Sequence, residues 1–199
     1  MKKLFTLAAI AGLAISVVAT SQPKDKKAAT YKVDAKESTF KWTGAKVTGE
    51  HFGNVTFSEG TITTDGKAVT GGTFVMDMNT ISVKDMQGEY AEKLEGHLKS
   101  GDFFAVDKFK TSTLKITSIT PIAGAKAGQK THNVTADLTI KDITKPVSFP
   151  AQIIVAKDKI IANAEFNVDR TLYDITYKGM ADNLIKNDFT VNVRVIAKP

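Results

Sequence analysis

Arg170, Tyr173, Asp169 and Asp174 share one short stretch, NVDRTLYDI, the densest group of chemically capable side chains in the sequence. A guanidinium, a phenol and carboxylates in one loop could form an acid-base site, with Arg170 and Asp174 as its working pair. Two plainer readings stand beside it. Arg170 could pair with a loop carboxylate and order the long connection from Thr171 to Lys186. Alternatively, Arg170 or Tyr173 could touch the polar head of a bound ligand. The other candidates are weaker. His51, His97 and His132 are far apart in sequence, and none has a partner at metal-ligand spacing, so no metal site is expected. The sequence has no cysteine, which removes a thiol nucleophile, a disulfide framework and a lipidated cysteine. GxSxG, HExxH and glycine-rich phosphate motifs are missing too. The expectation is a protein with no catalytic residue and no cofactor.

The elements that must position these residues are mostly strands. Residues 134 to 149, VTADLTIKDITKPVSF, hold the clearest signal. Val134, Ala136, Leu138 and Ile140 alternate with Thr135, Asp137, Thr139 and Lys141, the period-2 pattern of a half-buried strand. A polar interruption follows. Pro146 lacks the N–H that a central ladder needs and belongs at a strand start or on an edge, after which Val147, Phe149, Ala151 and Ile153 resume the alternation. Phe40, Trp42 and Gly44 mark another strand, and Val55 with Phe57 the next. Asp65-Gly66 is a strong hairpin signal, leading into a strand from Ala68 to Asn79 with Phe74, Met76 and Met78 on one face. Between Asp85 and Ser100, Tyr90, Leu94, His97 and Leu98 recur at helical spacing, and Gly101 is a natural stop. Further strands are expected at 109–119, 159–169 and 188–197.

The N-terminus bears on location. Lys2 and Lys3 precede an uncharged apolar run from Leu4 to Ala19, with small residues at Val17 and Ala19, which reads as a cleavable export signal over residues 1–19. As a helix that run would reach only about 24 Å, short of the roughly 30 Å hydrocarbon core. A stable membrane anchor is therefore not expected, and the mature protein should be periplasmic or secreted. Residues 20–29 read as a flexible polar leader and 30–199 as one domain. Without residues 1–19 the balance is 25 basic against 21 acidic side chains, spread along the chain. No basic run is interleaved with aromatics, so nucleic acid is not an expected partner. A homodimer is compatible with the sequence.

About eight antiparallel strands with one helix imply a closed barrel or a sandwich, and the pattern alone leaves both open. Four segments narrow the choice. GEHFGNVTFSEGTI, HLKSGDFFAVDKF, LTIKDITKPVSF and NVDRTLYDI, in this order along the chain, resemble segments of the YceI-like proteins, and the resemblance spans about residues 30 to 198. The resemblance implies an all-β fold, a closed antiparallel eight-stranded lipocalin-like barrel with a short helix near one opening, that holds a polyisoprenoid or related long-chain lipid. The chain departs from the family pattern at Asp142, where glycine is usual, and at Lys108-Phe109, where Tyr-Pro is usual.

By alternation, the expected lining is Phe40 and Trp42, then Phe74, Met76 and Met78, then Val134, Ala136 and Leu138. Phe166 and Val168 continue it, with Phe189, Val191 and Val193 from the last strand, while Leu94, Leu98, Phe103 and Phe104 would close one end. Small residues such as Ala136, Ala151, Ala162 and Ala164 would leave room inside. These faces are apolar, which suits a hydrocarbon chain better than a polar metabolite. A chain of about forty carbons at roughly 0.3 kcal/mol per heavy atom would approach 12 kcal/mol without a polar anchor. The expected function is a carrier of an isoprenoid, isoprenoid-quinone or fatty-acyl lipid. The alternatives are a ligand-free envelope stress or interaction domain, and a barrel enzyme acting on such a lipid.

Overall fold

A computed structural model describes residues 28–126 and 128–199. The expected export signal and most of the leader lie outside the described residues. Ala29, the last residue assigned to the leader, opens strand β1, Ala29–Val33. After a turn at Asp34, whose side chain accepts from Lys36 N and Glu37 N, the chain resumes as β2, Thr39–Lys46. β3 (Gly49–Thr64) and β4 (Val69–Val83) form the long hairpin expected at Asp65-Gly66. Its turn is closed by Asp65 Oδ1, which accepts from Lys67 N and Ala68 N at 2.8 Å each.

Helix α1, Glu89–Lys99, leaves β4 and is tied back to it by Val83 N donating to Glu95 Oε1 at 2.8 Å. Its expected apolar stripe is narrower than the spacing suggests. Ala91 is the buried member, whereas Tyr90 is 77% exposed. The strands continue with β5 (Thr111–Pro121), β6 (His132–Ile140), β7 (Ile143–Val155) and β8 (Ile160–Asp169). A 3-10 turn over Arg170–Tyr173 follows, then the two-residue β9 (Gly179–Met180) and β10 (Asn183–Lys198). The expected irregular segment from Thr171 to Lys186 is thus largely ordered, because β9 folds back on the start of β10.

Pairing runs from β2 through β8 in chain order, and β10 joins β8 to β2, closing an eight-stranded antiparallel barrel. β1 shares the slot of β2. It pairs the second half of β3 and the end of β10, so that β1 and β2 form one stave broken at the Asp34 turn. Register shifts in the β3–β4 pair, between Asn54 and Thr56 and between Phe57 and Glu59, are the bulges that let long strands coil around a barrel.

The β6–β7 hairpin turns on Lys141-Asp142, with Ile140 paired to Ile143. Positive φ falls on Lys141, at 58°, so Asp142 needs none of the freedom that glycine would bring. Pro146 lies inside β7 rather than at its start, and its position on an edge has a clear cause. β7 pairs β8 only from Ala151 to Val155. Counting from the Ile140–Ile143 pair, odd residues of β7 bond to β6 and even ones face β8. Pro146 and Pro150 therefore withhold N–H groups from β8, and the ladder stops where Pro150 begins. Beyond that point the two strands are joined by side chains, with the rings of Phe149 and Phe166 stacked at 4.1 Å.

Candidate functional site: the barrel lumen

Inward side chains of every stave enclose a cavity of about 340 Å3. Trp42 sits where its cross-strand partner is Gly53, and a Cβ at Gly53 would fall 1.7 Å from Ser82 O and 2.7 Å from the indole ring. Glycine there lets β3 and β4 approach and seats the ring. Met76 and Met78 are 7% and 6% exposed and face the cavity from β4, adaptable side chains on an apolar wall. Phe103 and Phe104 follow the helix, held by Phe103 N to Ser100 O and Phe104 N to Leu98 O. With Leu94 and Leu98 they reach the cavity from the α1 end.

The alternation places the wall residues well. Phe40, Phe74, Val134, Leu138, Phe166 and Val168 border the cavity, as do Phe189, Val191 and Val193 on β10. Ala136 does not. It is fully buried between its cross-strand partners Ile116 and Val147, and a methyl group is too short to reach past them. Sequence reasoning missed Leu114 and Ile116 on β5 and Phe149 and Ile153 on β7, while Ala151, Ala162 and Ala164, expected to leave room inside, do border the cavity. Phe149 and Ile153 sat on an alternating face in the sequence and could have been included.

Polar groups on the wall are few. Lys46, His51, Lys186 and Asp188 lie at the end of β2, the start of β3 and the start of β10, and so gather at one rim. No spacing rule finds them, because they come from three distant segments. His51 Nδ1 meets Asp85 Oδ2 at 2.8 Å. Burial pushes the Asp85 carboxyl up, but hydrogen bonds from His51 and Phe52 N outweigh it and hold the group below its ordinary value. His97 Nε2 likewise meets Asp102 at 3.0 Å, with its ring edge-on to Phe103 and Tyr177. Two histidines therefore have carboxylate partners in space that the sequence did not show. Among the described residues no group of three or more metal-ligating side chains forms.

Arg170 and Tyr173 are placed differently from the sequence readings. Arg170 is 5% exposed and borders the lumen, but its partners are carbonyls. Nε donates to Lys186 O at 3.0 Å, Nη2 to Ile185 O at 3.3 Å, and Nη1 to Ile175 O. It orders the connection, as one reading held, by binding backbone and not a carboxylate. Burial lowers its pKa. Tyr173 is 1% exposed and packs in a core cluster with Phe103, Ile140, Val168, Ile175 and Val191. It does not reach the rim, and burial pushes its phenol up to about 12. Asp174 is exposed and left-handed, with its carbonyl accepting from Lys141 Nζ at 2.9 Å. Asp169 accepts from Thr171 N and Thr171 Oγ1. Arg170 and Asp169 thus serve separate structural partners, Tyr173 packs in the core and the Asp174 side chain is exposed, so the four do not converge on a reacting centre.

Residues 31–197 match the sequence model of the YceI-like domain. The chain belongs to the YceI-like family. A UPF0312 protein of Pseudomonas putida is 32% identical over 128 residues, 62% of each chain. A UPF0312 protein of Pseudomonas aeruginosa is 35% identical over 75 residues, 38% of this chain and 36% of that one. The chain thus spans about a third to three fifths of the curated relatives it matches. Among solved structures, Burkholderia cenocepacia BcnA superposes with a TM-score of 0.68 at 16% identity, covering 83% of this chain and 99% of that one. A polyisoprenoid binding domain from Saccharophagus degradans gives 0.60 at 13% identity, covering 84% and 97%. These likenesses show that the YceI-like barrel is a shared fold.

Proposed function

We propose that this YceI-like protein is a carrier that holds a long apolar chain, isoprenoid or fatty-acyl, inside its barrel, acting in the periplasm or after secretion. The observation that carries the reading is the lumen itself, a cavity bordered by aromatic and aliphatic side chains from all staves, with Lys46, His51, Lys186 and Asp188 at one rim and the guanidinium of Arg170 bound to backbone carbonyls. Its volume falls within the roughly 300–1,000 Å3 of small-molecule sites. Such a wall offers dispersion and desolvation along the whole length of a chain and little to a polar metabolite. The name of the Saccharophagus degradans neighbour, a polyisoprenoid binding domain, supports the same ligand class. A binding role, without catalysis, fits the loop of Arg170 and Asp174, where the Arg170 guanidinium is committed to backbone carbonyls and the exposed Asp174 is held through its own backbone carbonyl.

Native mass spectrometry of protein purified from an exporting host, followed by organic extraction, tests this. Recovery of prenyl or acyl material bound one per barrel is the expected result. An unliganded mass with no uptake of added polyprenyl or fatty-acyl compounds overturns the carrier reading and favours a ligand-free envelope domain.

A further inference from the structure

Among the described residues the buried polar or charged side chains are Ser38, Thr64, Ser112 and Arg170. Three of them have partners. Ser38 Oγ accepts from Ile196 N at 3.0 Å and donates to Ile196 O, Thr64 Oγ1 accepts from Gly66 N at 3.3 Å, and Arg170 binds three carbonyls. Ser112 is 7% exposed, and its hydroxyl makes no hydrogen bond among the described residues. A buried hydroxyl is costly unless something supplies its partner.

The strand sets its direction. Ser112, Leu114 and Ile116 alternate on β5 and all border the lumen, as does Met76, the cross-strand partner of Ser112 on β4. The polar side-chain atoms that are sealed off without a partner are Trp42 Nε1 and Tyr173 OH; Ser112 Oγ is not one of them, and the space it opens onto is the lumen. β5 begins at Thr111, so the hydroxyl lies towards the α1 end of the barrel. Its surroundings are apolar. On the β6 side the Thr113–Thr139 pair brings Ile140 alongside, and Ile140 also borders the cavity. Lys186 and Asp188 belong to β10, the stave opposite β5 in the closed ring. Even at the seam where the β7–β8 ladder has stopped, the wall is formed by the stacked rings of Phe149 and Phe166.

We propose that Ser112 is the polar contact of the lumen, its hydroxyl donating to a neutral carbonyl oxygen on the ligand, so that the cargo is a ketone-, quinone-, ester- or amide-bearing lipid and not a bare hydrocarbon chain. A lone water fits this place poorly, since a buried water needs two or more polar partners and the neighbours Met76, Leu114 and Ile140 offer none from their side chains. A carboxylate fits worse, because one hydroxyl would have to compensate a full charge among apolar groups. A carbonyl needs one donor and brings its own apolar chain. The proposal rests on the lumen being a site for an apolar chain, and the test separates the two claims.

Hexadecane and methyl tetradecyl ketone have chains of the same length and differ by one carbonyl, and their affinities for the intact protein are read by displacement of N-phenylnaphthylamine. The ketone-to-alkane affinity ratio should fall about fivefold in Ser112→Ala, equivalent to about 1 kcal/mol, since the ratio cancels the transfer of each probe from water. Ser112→Thr keeps a hydroxyl and should retain more of the ratio than alanine does. The infrared carbonyl band of the bound ketone should lie lower in wild type than in Ser112→Ala. The ligand-free alanine variant should unfold at the same urea concentration as wild type or a higher one, because its hydroxyl has no protein partner to lose. A ratio and a carbonyl band unchanged in the folded alanine variant overturn the proposal, as does a clearly lower urea midpoint, which would show the hydroxyl bound within the protein. Failure of both probes to bind wild type overturns the lumen reading itself.

Discussion

Arg170 shows how a chemically suggestive residue can be wholly structural. Its guanidinium binds three carbonyls of the segment that returns the chain to β10, and it is nearly buried. Replacing it with methionine keeps the stem and leaves those carbonyls without donors. At about 1–3 kcal/mol for leaving buried polar groups unsatisfied, Arg170→Met should lower the unfolding free energy by about 2–4 kcal/mol in urea titrations. Lysine should rescue little of it, since one ammonium cannot reproduce the planar fork. A loss below about 0.5 kcal/mol would mean that the carbonyls find water instead. His132 makes a second, pH-dependent case. Burial holds its pKa below the ordinary value of 6.5, with Nδ1 against Thr131 Oγ1 at 2.8 Å. The unfolded chain therefore takes up the proton first as pH falls. The folded state loses stability as pH drops below 6.5 and regains it as His132 is neutral again above that value. His132→Gln should flatten this part of the stability profile, measured as urea midpoints across mildly acid pH. An identical slope in both proteins would assign the acid sensitivity elsewhere.

Among the elements, β7 carries the most information. Its prolines at 146 and 150 have the same parity, so both remove donors from the side facing β8 and neither touches the ladder to β6. The seam is thus written into the sequence as two missing N–H groups. Restoring one of them in Pro150→Thr should extend the β7–β8 ladder by one hydrogen bond, adding about 0.5–1.5 kcal/mol. Amide hydrogen exchange would show it as a new protected N–H at position 150. Rapid exchange there, with unchanged stability, would show that the Phe149–Phe166 stack and the 3-10 turn hold the strands apart without the prolines. Helix α1 gives the opposite lesson. Its spacing announced a helix correctly but placed Tyr90 on the inner stripe, because periodicity fixes a face only to within one neighbouring position, and Ala91 took the buried place.

For the whole barrel, the decisive quantity is the free volume inside. Ala162 and Ala164 lie on β8 and border the cavity, opposite Ile153 and Ala151 on β7. Ala162→Phe combined with Ala164→Phe should fill the lumen and abolish uptake of a prenyl or acyl probe while the far-ultraviolet spectrum remains that of a β barrel. Retained uptake by that folded variant would place the chain outside the lumen. Much of this architecture was legible beforehand. Period-2 alternation of Phe40 with Trp42, of Phe74 with Met76 and Met78, and of Val191 with Val193 identified inner faces, since a strand has only two sides. Asp65-Gly66 and Lys141-Asp142 identified turns because turn chemistry is local. Other features were not legible, for equally physical reasons. Closure of the sheet through the β8–β10 pairing, the shared stave of β1 and β2, and the rim formed by Lys46, His51 and Lys186 are contacts between distant segments, which no local pattern encodes. The same holds for Asp169 against Asp188. Asp169 stood out in the sequence only within its own loop and Asp188 not at all, and only the register of the closed barrel sets the two side by side. The sequence by itself determined strands, turns and the apolar character of the inner wall, because these follow from local conformation and the hydrophobic effect. Tertiary structure alone decided which walls meet, where the seam opens and which charges are left opposed, because those depend on register between chain segments far apart.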